Sequence, residues 1–134
     1  MNVALVGSNF ALRGYLPVIN KIKSLKLKIM CSRKILKSPI LFNNNKNIKF
    51  EYNWKKVFRD DIDLIILAVP PKVQSEILNY NLRFKKKIIF EKPISNNFNK
   101  SKKIIDKIKK KKIKSDINLT FLNHQLFIKT QNII

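Results

Sequence analysis

The chain has 134 residues, 45% of them hydrophobic in short blocks, which predicts one domain with its own core and excludes a membrane span of about 20 residues. Its single cysteine excludes an internal disulfide and a cysteine-cluster metal site, and no metal site is predicted. The net charge of +21 is typical of a nucleic-acid binder, but 25 of the 29 basic residues are lysine, so we interpret most of the charge as compositional drift from AT-rich coding.

The first predicted elements are a strand and a helix. Apolar residues 2–6 end at Gly7, as a buried strand entering a tight turn does. A helix is predicted over 10–24, where apolar residues recur at spacings of three and four: Leu12, Leu16, Ile19 and Ile22. Pro17 removes one backbone hydrogen bond, so we expect it to bend or divide this helix.

The middle of the chain predicts three more strands. The second strand, residues 27–31, ends at a cysteine that we expect to be buried. Turn-forming residues indicate an irregular stretch over 38–47, followed by two short elements, a strand at 48–52 and a helix at 53–59. Residues 62–69 are the most apolar run. Because their hydrophobicity is continuous, both faces should be covered, as in a central parallel strand.

The second half of the chain alternates helices and strands. After Pro70-Pro71 a helix is predicted with one apolar stripe: Val73, Ile77, Leu78 and Leu82. A fifth strand at 88–90 precedes a lysine-rich helix at 97–112, capped by Ser95-Asn96, with a second apolar stripe: Phe98, Ile104, Ile105 and Ile108. Residues 117–122 are the last predicted strand. The expected fold class is therefore α/β, a doubly wound parallel sheet with helices on both faces.

The turn after the first strand has features of a dinucleotide-binding loop. A strand, a glycine and a helix place backbone N–H groups and a helix dipole against a pyrophosphate, as in Rossmann-type domains. The full fingerprint is G-x-G-x-x-G, and the register through Gly7, Ser8, Asn9 and Phe10 keeps only the first glycine. Leu12, in place of the third glycine, implies a wider helix–strand separation. On this loop alone, cofactor binding and a structural turn are equal alternatives.

Two more segments follow predicted strand ends, where ligands of open α/β sheets bind. These are Val69-Pro70-Pro71 and Glu91-Lys92-Pro93. With the Gly7 loop and Leu16-Pro17, they resemble the Gfo/Idh/MocA family of glucose–fructose oxidoreductases and inositol dehydrogenases. The N-terminal domains of that family carry a glycine loop, a leucine–proline, a strand ending in A-T-P-P, and E-K-P. The resemblance extends over nearly the whole chain and implies a Rossmann-type NAD(P)-binding domain.

The resemblance also implies roles for particular residues. It implies hydride transfer between a nicotinamide cofactor and the CH–OH carbon of a sugar or polyol, with Lys92 as the catalytic residue near the reacting hydroxyl. The alternative for Lys92 is an ordinary surface lysine. A fixed bond at Pro93, with cis geometry considered, would aim that lysine. Residues expected to face the cofactor are Gly7, Ser8, Asn9, Phe10, Val69, Pro70 and Glu91, the last as a cofactor or structural contact.

The end of the second predicted strand bears on the choice of cofactor. An acidic residue there would bind the ribose hydroxyls of NAD, but this chain has Ser32, Arg33 and Lys34. A hydroxyl followed by two cations suits a 2′-phosphate, so we predict that Ser32 and Arg33 bind NADP in preference to NAD. The alternative is that Arg33 and Lys34 are ordinary charges in a lysine-rich protein.

The chain departs from the family pattern at several positions. Gln74 stands where members commonly carry a histidine, and Lys85-Lys86 replaces a glycine-containing turn. We interpret the lone histidine, His124, as structural. The largest departure is length. We expect residues 1–123 to form the dinucleotide-binding domain and 124–134 to begin the connection to an absent C-terminal substrate domain, so turnover by this chain alone should be negligible.

Two other functions stay open. One is a non-catalytic Rossmann binding module or subunit of a split protein, which pairs as a homo-oligomer or with a partner chain through an uncovered sheet edge. The other is a basic nucleic-acid-binding protein, which we rank last because few aromatic residues are interleaved with the basic ones. Since no basic segment precedes the N-terminal apolar stretch, no secretory signal or membrane association is predicted, and we expect a cytoplasmic protein.

Overall fold

The computed structural model describes residues 1–33 and 47–119. Its centre is a parallel sheet of six strands: β1 (Asn2–Gly7), β2 (Lys26–Cys31), β3 (Lys49–Glu51), β4 (Leu64–Ala68), β5 (Lys87–Glu91) and β6 (Ser115–Asn118). The strand order is β3-β2-β1-β4-β5-β6. Three α-helices cover the sheet: α1 (Leu16–Lys21), α2 (Pro71–Phe84) and α3 (Phe98–Lys110). This is the Rossmann arrangement, so the predicted fold class is confirmed.

Two apolar layers lie on opposite faces of the sheet. Successive residues of β4 alternate between them, with Ile65 and Leu67 packed on the α2–α3 side and Leu64 and Ile66 on the α1 side. Ile65 and Leu67 are completely buried. The continuous hydrophobicity of this strand therefore reflects burial on both faces, as predicted. None of the helices in the described ranges is long and apolar enough to span a membrane.

The first helix differs from the prediction. A π-helical segment, Ala11–Tyr15, precedes α1, and the Leu16 N–H donates to the Ala11 carbonyl five residues earlier. Pro17 has no N–H to donate, and it lies in the first turn of α1, so the helix is divided just before it, as the sequence predicted. The wider turn aligns Ala11 with Leu16, and both are buried, whereas Leu12 is only partly covered.

The predicted end of this helix at residue 24 was also wrong. Helix α1 ends at Lys21, and Ile22, which was expected on the inward stripe, is 41% exposed. Ile22 has an extended backbone and lies outside the helix. Its side chain therefore leaves the face that the helical period predicted for it.

Two further elements were shifted from their predicted positions. Strand β6 begins two residues early, because it pairs with β5 from Ile88↔Ser115 to Glu91↔Asn118, and Leu119 lies beyond it. The rest of the predicted strand, 120–122, is outside the described residues. In place of a helix at 53–59, only Trp54–Val57 forms a 3₁₀ turn.

The start of α3 was also predicted incorrectly. The N-cap is Asn97, whose side-chain oxygen accepts the Lys100 N–H at 2.9 Å, and not the Ser95-Asn96 pair. Ser95 instead stabilises the turn before it, because its hydroxyl donates to the Asn97 carbonyl at 2.7 Å. Phe98 is 79% exposed, so it does not belong to the inward stripe.

Helix α2 ends in a conformation that usually selects glycine. Lys85 has φ 55° and ψ 30°, in the left-handed region, and its N–H donates to the Asn81 carbonyl at 2.8 Å. This conformation destabilises a residue with a Cβ by about 1 kcal/mol, whereas glycine adopts it without that cost. The lysine that replaces the expected glycine-containing turn therefore strains the end of α2.

Replacing Lys85 by glycine should raise the free energy of unfolding by about 0.5–1 kcal/mol, because the left-handed conformation then costs nothing. The measurement is urea denaturation followed by circular dichroism. Lys103→Gly, at an exposed position inside α3, is the control and should lower stability by about 1 kcal/mol. Equal destabilisation by both substitutions would contradict the assignment of strain to Lys85.

Candidate functional site

The carboxyl ends of four strands, β1, β2, β4 and β5, surround a cavity of about 490 Å³. All ten candidate site residues from the sequence line this one cavity: Gly7, Ser8, Asn9, Phe10, Ser32, Arg33, Val69, Pro70, Glu91 and Lys92. Lys34 and His124 lie outside the described residues. The strand ends therefore bring together side chains that are far apart in the sequence.

The strand order gives the cavity two distinct ends. Ser32 and Arg33 follow β2, whereas Lys92 follows β5, three strand positions away. At about 4.8 Å between neighbouring strands, these ends are roughly 14 Å apart. The middle of the cavity lies over β1 and β4, where the chain crossovers turn to opposite sides of the sheet. Ligands of doubly wound sheets bind at that point.

Gly7 has a steric role at the floor of the cavity. Its φ is +139°, and a Cβ at this position would lie 2.2 Å from the Ala68 carbonyl oxygen and 3.2 Å from the Ala11 Cβ. No side chain fits between these atoms. Glycine here therefore allows β1, β4 and the first helix to meet, whether or not a ligand is present.

The Glu91 carboxylate connects three elements at the edge of the cavity. Its Oε1 accepts the Tyr15 hydroxyl at 2.6 Å and the Asn118 side-chain amide at 2.7 Å. Burial, together with this hydrogen bond to Glu91, raises the pKa of Tyr15 well above its usual value, so the hydroxyl remains a donor. Glu91 is thus a structural contact that ties the π-helical segment and β6 to β5.

Gln74 holds the segment that carries Lys92. The Gln74 side chain is 99% buried, its Oε1 accepts the Glu91 N–H at 3.0 Å, and its Nε2 donates to the Glu91 carbonyl at 2.6 Å. The same Nε2 also lies 3.0 Å from the Pro93 carbonyl oxygen. The Lys92–Pro93 bond is cis, as considered from the sequence. A single amide therefore satisfies backbone groups on both sides of Lys92, whose own side chain is exposed at the cavity rim.

Among the residues that the structure describes, none of those lining the β2 end of the cavity is acidic. Cys31 is 2% exposed there, as expected, and burial together with the nearby Glu51 charge raises its pKa to about 11, so the thiol is neutral at pH 7. Glu51 does not line the cavity. Its carboxylate bonds Lys49 at 2.9 Å and Lys56 at 3.3 Å, and the Lys49 hydrogen bond lowers its pKa. Among the described lining residues, Glu91 is the only acid.

Two aromatic residues of the lining were missed from the sequence. Tyr52 is 62% exposed, and Trp54 is edge-to-face with Tyr80 at 5.2 Å between ring centroids; both line the cavity. Tyr52 directly follows β3, at the same edge of the sheet as the other site residues. The strand-end rule that selected residues 69–71 and 91–93 would have found it.

Comparisons with known proteins agree with this architecture. The sequence model of the Gfo/Idh/MocA oxidoreductase family, described as an NAD-binding Rossmann fold, matches residues 1–118. No curated protein matches the chain by sequence. The fold is similar to KijD10, a 3-ketoreductase from Actinomadura kijaniata in complex with TDP-benzene and NADP, with a TM-score of 0.83 and 18% identity over 99% of this chain and 42% of that one.

A second solved structure gives the same result. The fold is similar to an oxidoreductase from Bacillus cereus, with a TM-score of 0.72 and 17% identity over 87% of this chain and 34% of that one. At such identities the likeness shows the fold alone. The chain spans between 34% and 42% of the length of these two proteins.

We expect Gly7→Ala to destabilise the fold by roughly 3 kcal/mol or more, because the new methyl group collides with the Ala68 carbonyl in a left-handed conformation. Gly14→Ala is the matched control. Its Cβ would meet the Phe10 ring at 2.9 Å, but that ring is 46% exposed and can move aside. The control should stay within about 1 kcal/mol of wild type in urea denaturation. Similar losses in both variants would refute the steric role of Gly7.

Gln74→Leu should lower the unfolding free energy by roughly 2–4 kcal/mol, since it leaves the Glu91 N–H and neighbouring carbonyls without partners. Asn79→Leu is the control on the same helix, because the Asn79 side-chain amide donates to the Ser75 carbonyl of α2 itself and not to the segment around Lys92. Its cost should be under about 1 kcal/mol. Amide exchange at Glu91, measured by NMR, should accelerate in the Gln74 variant alone. Unchanged exchange there would contradict the proposed support of this segment.

Proposed function

The chain belongs to the Gfo/Idh/MocA oxidoreductase family, and from this membership we propose that its cavity binds a nicotinamide dinucleotide, NADP(H) in preference to NAD(H). The observation that carries the proposal is the convergence of all ten candidate residues on one cavity at the carboxyl edge. A volume of about 490 Å³ is in the ordinary range of cofactor and ligand sites.

We assign the pyrophosphate to the centre of this cavity. Helical backbone begins at Asn9, and the first helical bond in this turn runs from the Leu12 N–H to the Ser8 carbonyl. The N–H groups before Leu12 have no acceptor within the helix, so they suit a phosphate oxygen. Ser8, Asn9 and Phe10 would contact the cofactor here. Gly7 lines this part of the cavity and adds no side chain to it.

The cofactor's 2′-phosphate would lie at the β2 end. Ser32 offers a polar side chain and Arg33 a cation, and the acid nearest along the sheet, Glu51, is neutralised by two lysines. A 2′-phosphate would gain charge-assisted hydrogen bonds from Arg33, whereas ribose hydroxyls at this end of the cavity would find no carboxylate among the described lining residues, since Glu91 lies at the other end. This arrangement supports NADP(H) over NAD(H).

The opposite end of the cavity fits the chemistry of hydride transfer to or from a sugar or polyol. When bound, the nicotinamide supplies the hydride acceptor or donor. Val69, Pro70 and Glu91 border the space that it would occupy, and Lys92 lies at the rim. The Lys92 ammonium would hydrogen-bond the substrate oxygen and stabilise its developing negative charge, while Gln74 fixes the backbone around it.

Our proposal for this chain is cofactor binding rather than turnover. We propose residues 1–123 as the dinucleotide-binding domain; the structure describes 1–33 and 47–119 of it, and 124–134 also lie outside the described residues. Hydride transfer requires a substrate held in near-attack geometry, and Lys92 is exposed on the side where the substrate would lie. A second candidate, a non-catalytic module that keeps only the fold, is favoured by Asn9 and Leu12 at positions where the fingerprint has glycine.

Titration calorimetry should give at least tenfold tighter binding of NADPH than of NADH. Arg33→Gln should weaken NADPH binding about tenfold, a loss of about 1.4 kcal/mol, and leave NADH within about twofold. Arg83→Gln is the control, because Arg83 lies on α2 outside the cavity lining. Quenching of Trp54, the single tryptophan, gives a second readout. Tighter NADH binding would refute the cofactor preference, and absence of binding to both would favour the non-catalytic module.

A further inference from the structure

Helix α3 and the residues just after it carry the densest charge in the chain. Nine of the 25 lysines fall within residues 100–114, and Asp106 is the only acid there. The opposite side of the helix is apolar and buried, with Ile104 at 1% and Ile108 at 4% exposure. Because the apolar side chains face the core, the lysines are concentrated on the solvent side.

Four of these lysines form a regular row. Lys100, Lys103, Lys107 and Lys110 follow one another at intervals of three and four residues, which places them along one side of the helix. With a rise of about 1.5 Å per residue, this lysine stripe is roughly 15 Å long. Duplex nucleic acid carries about one charge per 1.7 Å of its axis, so the stripe matches a segment with roughly nine phosphates.

The charges of the stripe are not neutralised within the described part of the chain. The ion pairs found there involve Lys49, Lys56 and Arg59, and none involves a lysine of α3. Like charges four residues apart, such as Lys103 and Lys107, repel each other by about 0.2–0.5 kcal/mol. Contact with a polyanion would therefore be favourable, because its negative charges screen the repulsion between these lysines.

We propose that the lysine stripe binds the phosphate backbone of nucleic acid without regard to base sequence. Lysine acts as a point charge and lacks the fork that reads guanine or grips phosphate in two places, so the stripe suits backbone contact alone. An anionic membrane is a poorer fit. The apolar face of α3 is already buried, and Phe98 is its only exposed apolar side chain, too little to insert into lipid.

The stripe is separate from the candidate cofactor site. No residue of α3 lines the cavity at the carboxyl edge. Nucleic acid on the stripe and a dinucleotide in the cavity therefore do not compete for the same side chains. The inference does not depend on the proposed cofactor, and each can fail without the other.

The test compares two variants that each lose three positive charges. One carries Lys103→Gln, Lys107→Gln and Lys110→Gln in the stripe. The control carries Lys21→Gln, Lys23→Gln and Lys26→Gln, exposed positions in and after α1, which packs on the other face of the sheet. Circular dichroism verifies that both fold. Fluorescence anisotropy then measures binding to a 20-base-pair DNA duplex of arbitrary sequence between 50 and 200 mM KCl, conditions chosen for the salt dependence of such contacts.

We expect wild type to bind the duplex, and the stripe variant to bind at least tenfold more weakly at 100 mM KCl, with a salt slope reduced by about 2.7. The control should lose less than about threefold. Equal losses in both variants would overturn the proposal, because binding would then follow net charge alone. Absence of wild-type binding would also overturn it. So would binding to phosphatidylglycerol vesicles without binding to the duplex, which would indicate a membrane surface.

Discussion

The close approach of β1 and β4 at Gly7 is the constraint on which the rest of the structure depends. Gly7 pairs with Ala68 in the parallel ladder, at a point where a Cβ would overlap the Ala68 carbonyl. Only glycine adopts the required φ without strain. β1 also pairs with β2, so it lies between β2 and β4. From the carboxyl edge of the sheet, the chain therefore crosses to α1 on one face and to α2 on the other face. The cavity opens between them, so its position follows from a steric requirement.

The π-helical segment explains how the loop keeps this geometry with two fingerprint glycines missing. In the π-helical segment Ala11 lies beside Gly7, because its Cβ would be 3.2 Å from a Cβ added to that glycine. Leu12, at the position of the third fingerprint glycine, is only partly buried, whereas Ala11 is buried beside Gly7. The same segment carries Tyr15 to the Glu91 carboxylate. Partial burial and the hydrogen bond to Glu91 raise the pKa of Tyr15, so its hydroxyl remains a donor in this contact at neutral pH.

The sequence predicted well what depends on local burial. The order of strands and helices, and β4 as a fully covered strand, were confirmed, because burial on both faces leaves a continuous apolar run. The predicted site residues line one cavity because each was chosen at the carboxyl end of a strand, and these ends lie at one edge of the parallel sheet. Features that depend on partners distant in the chain could not be predicted in this way. They include the register of β6 against β5 and the collision between a Gly7 Cβ and Ala68. Tyr52 was missed although the same rule selects it.

The contacts of the acidic residues explain why the positive charge of α3 is not neutralised in the ranges that the structure describes. Of the eight acids, several hold backbone or lysines within the fold. Glu51 binds Lys49 and Lys56, Asp63 accepts the Asn2 N–H at 2.7 Å, and Glu91 accepts Tyr15. These contacts leave few carboxylates that could neutralise the lysines of α3. At physiological salt a charge is screened within about 8 Å, so an approaching anion interacts only with the cations near it. Net charge therefore attracts anions in general, while the local arrangement of lysines and arginines decides where each kind of anion binds.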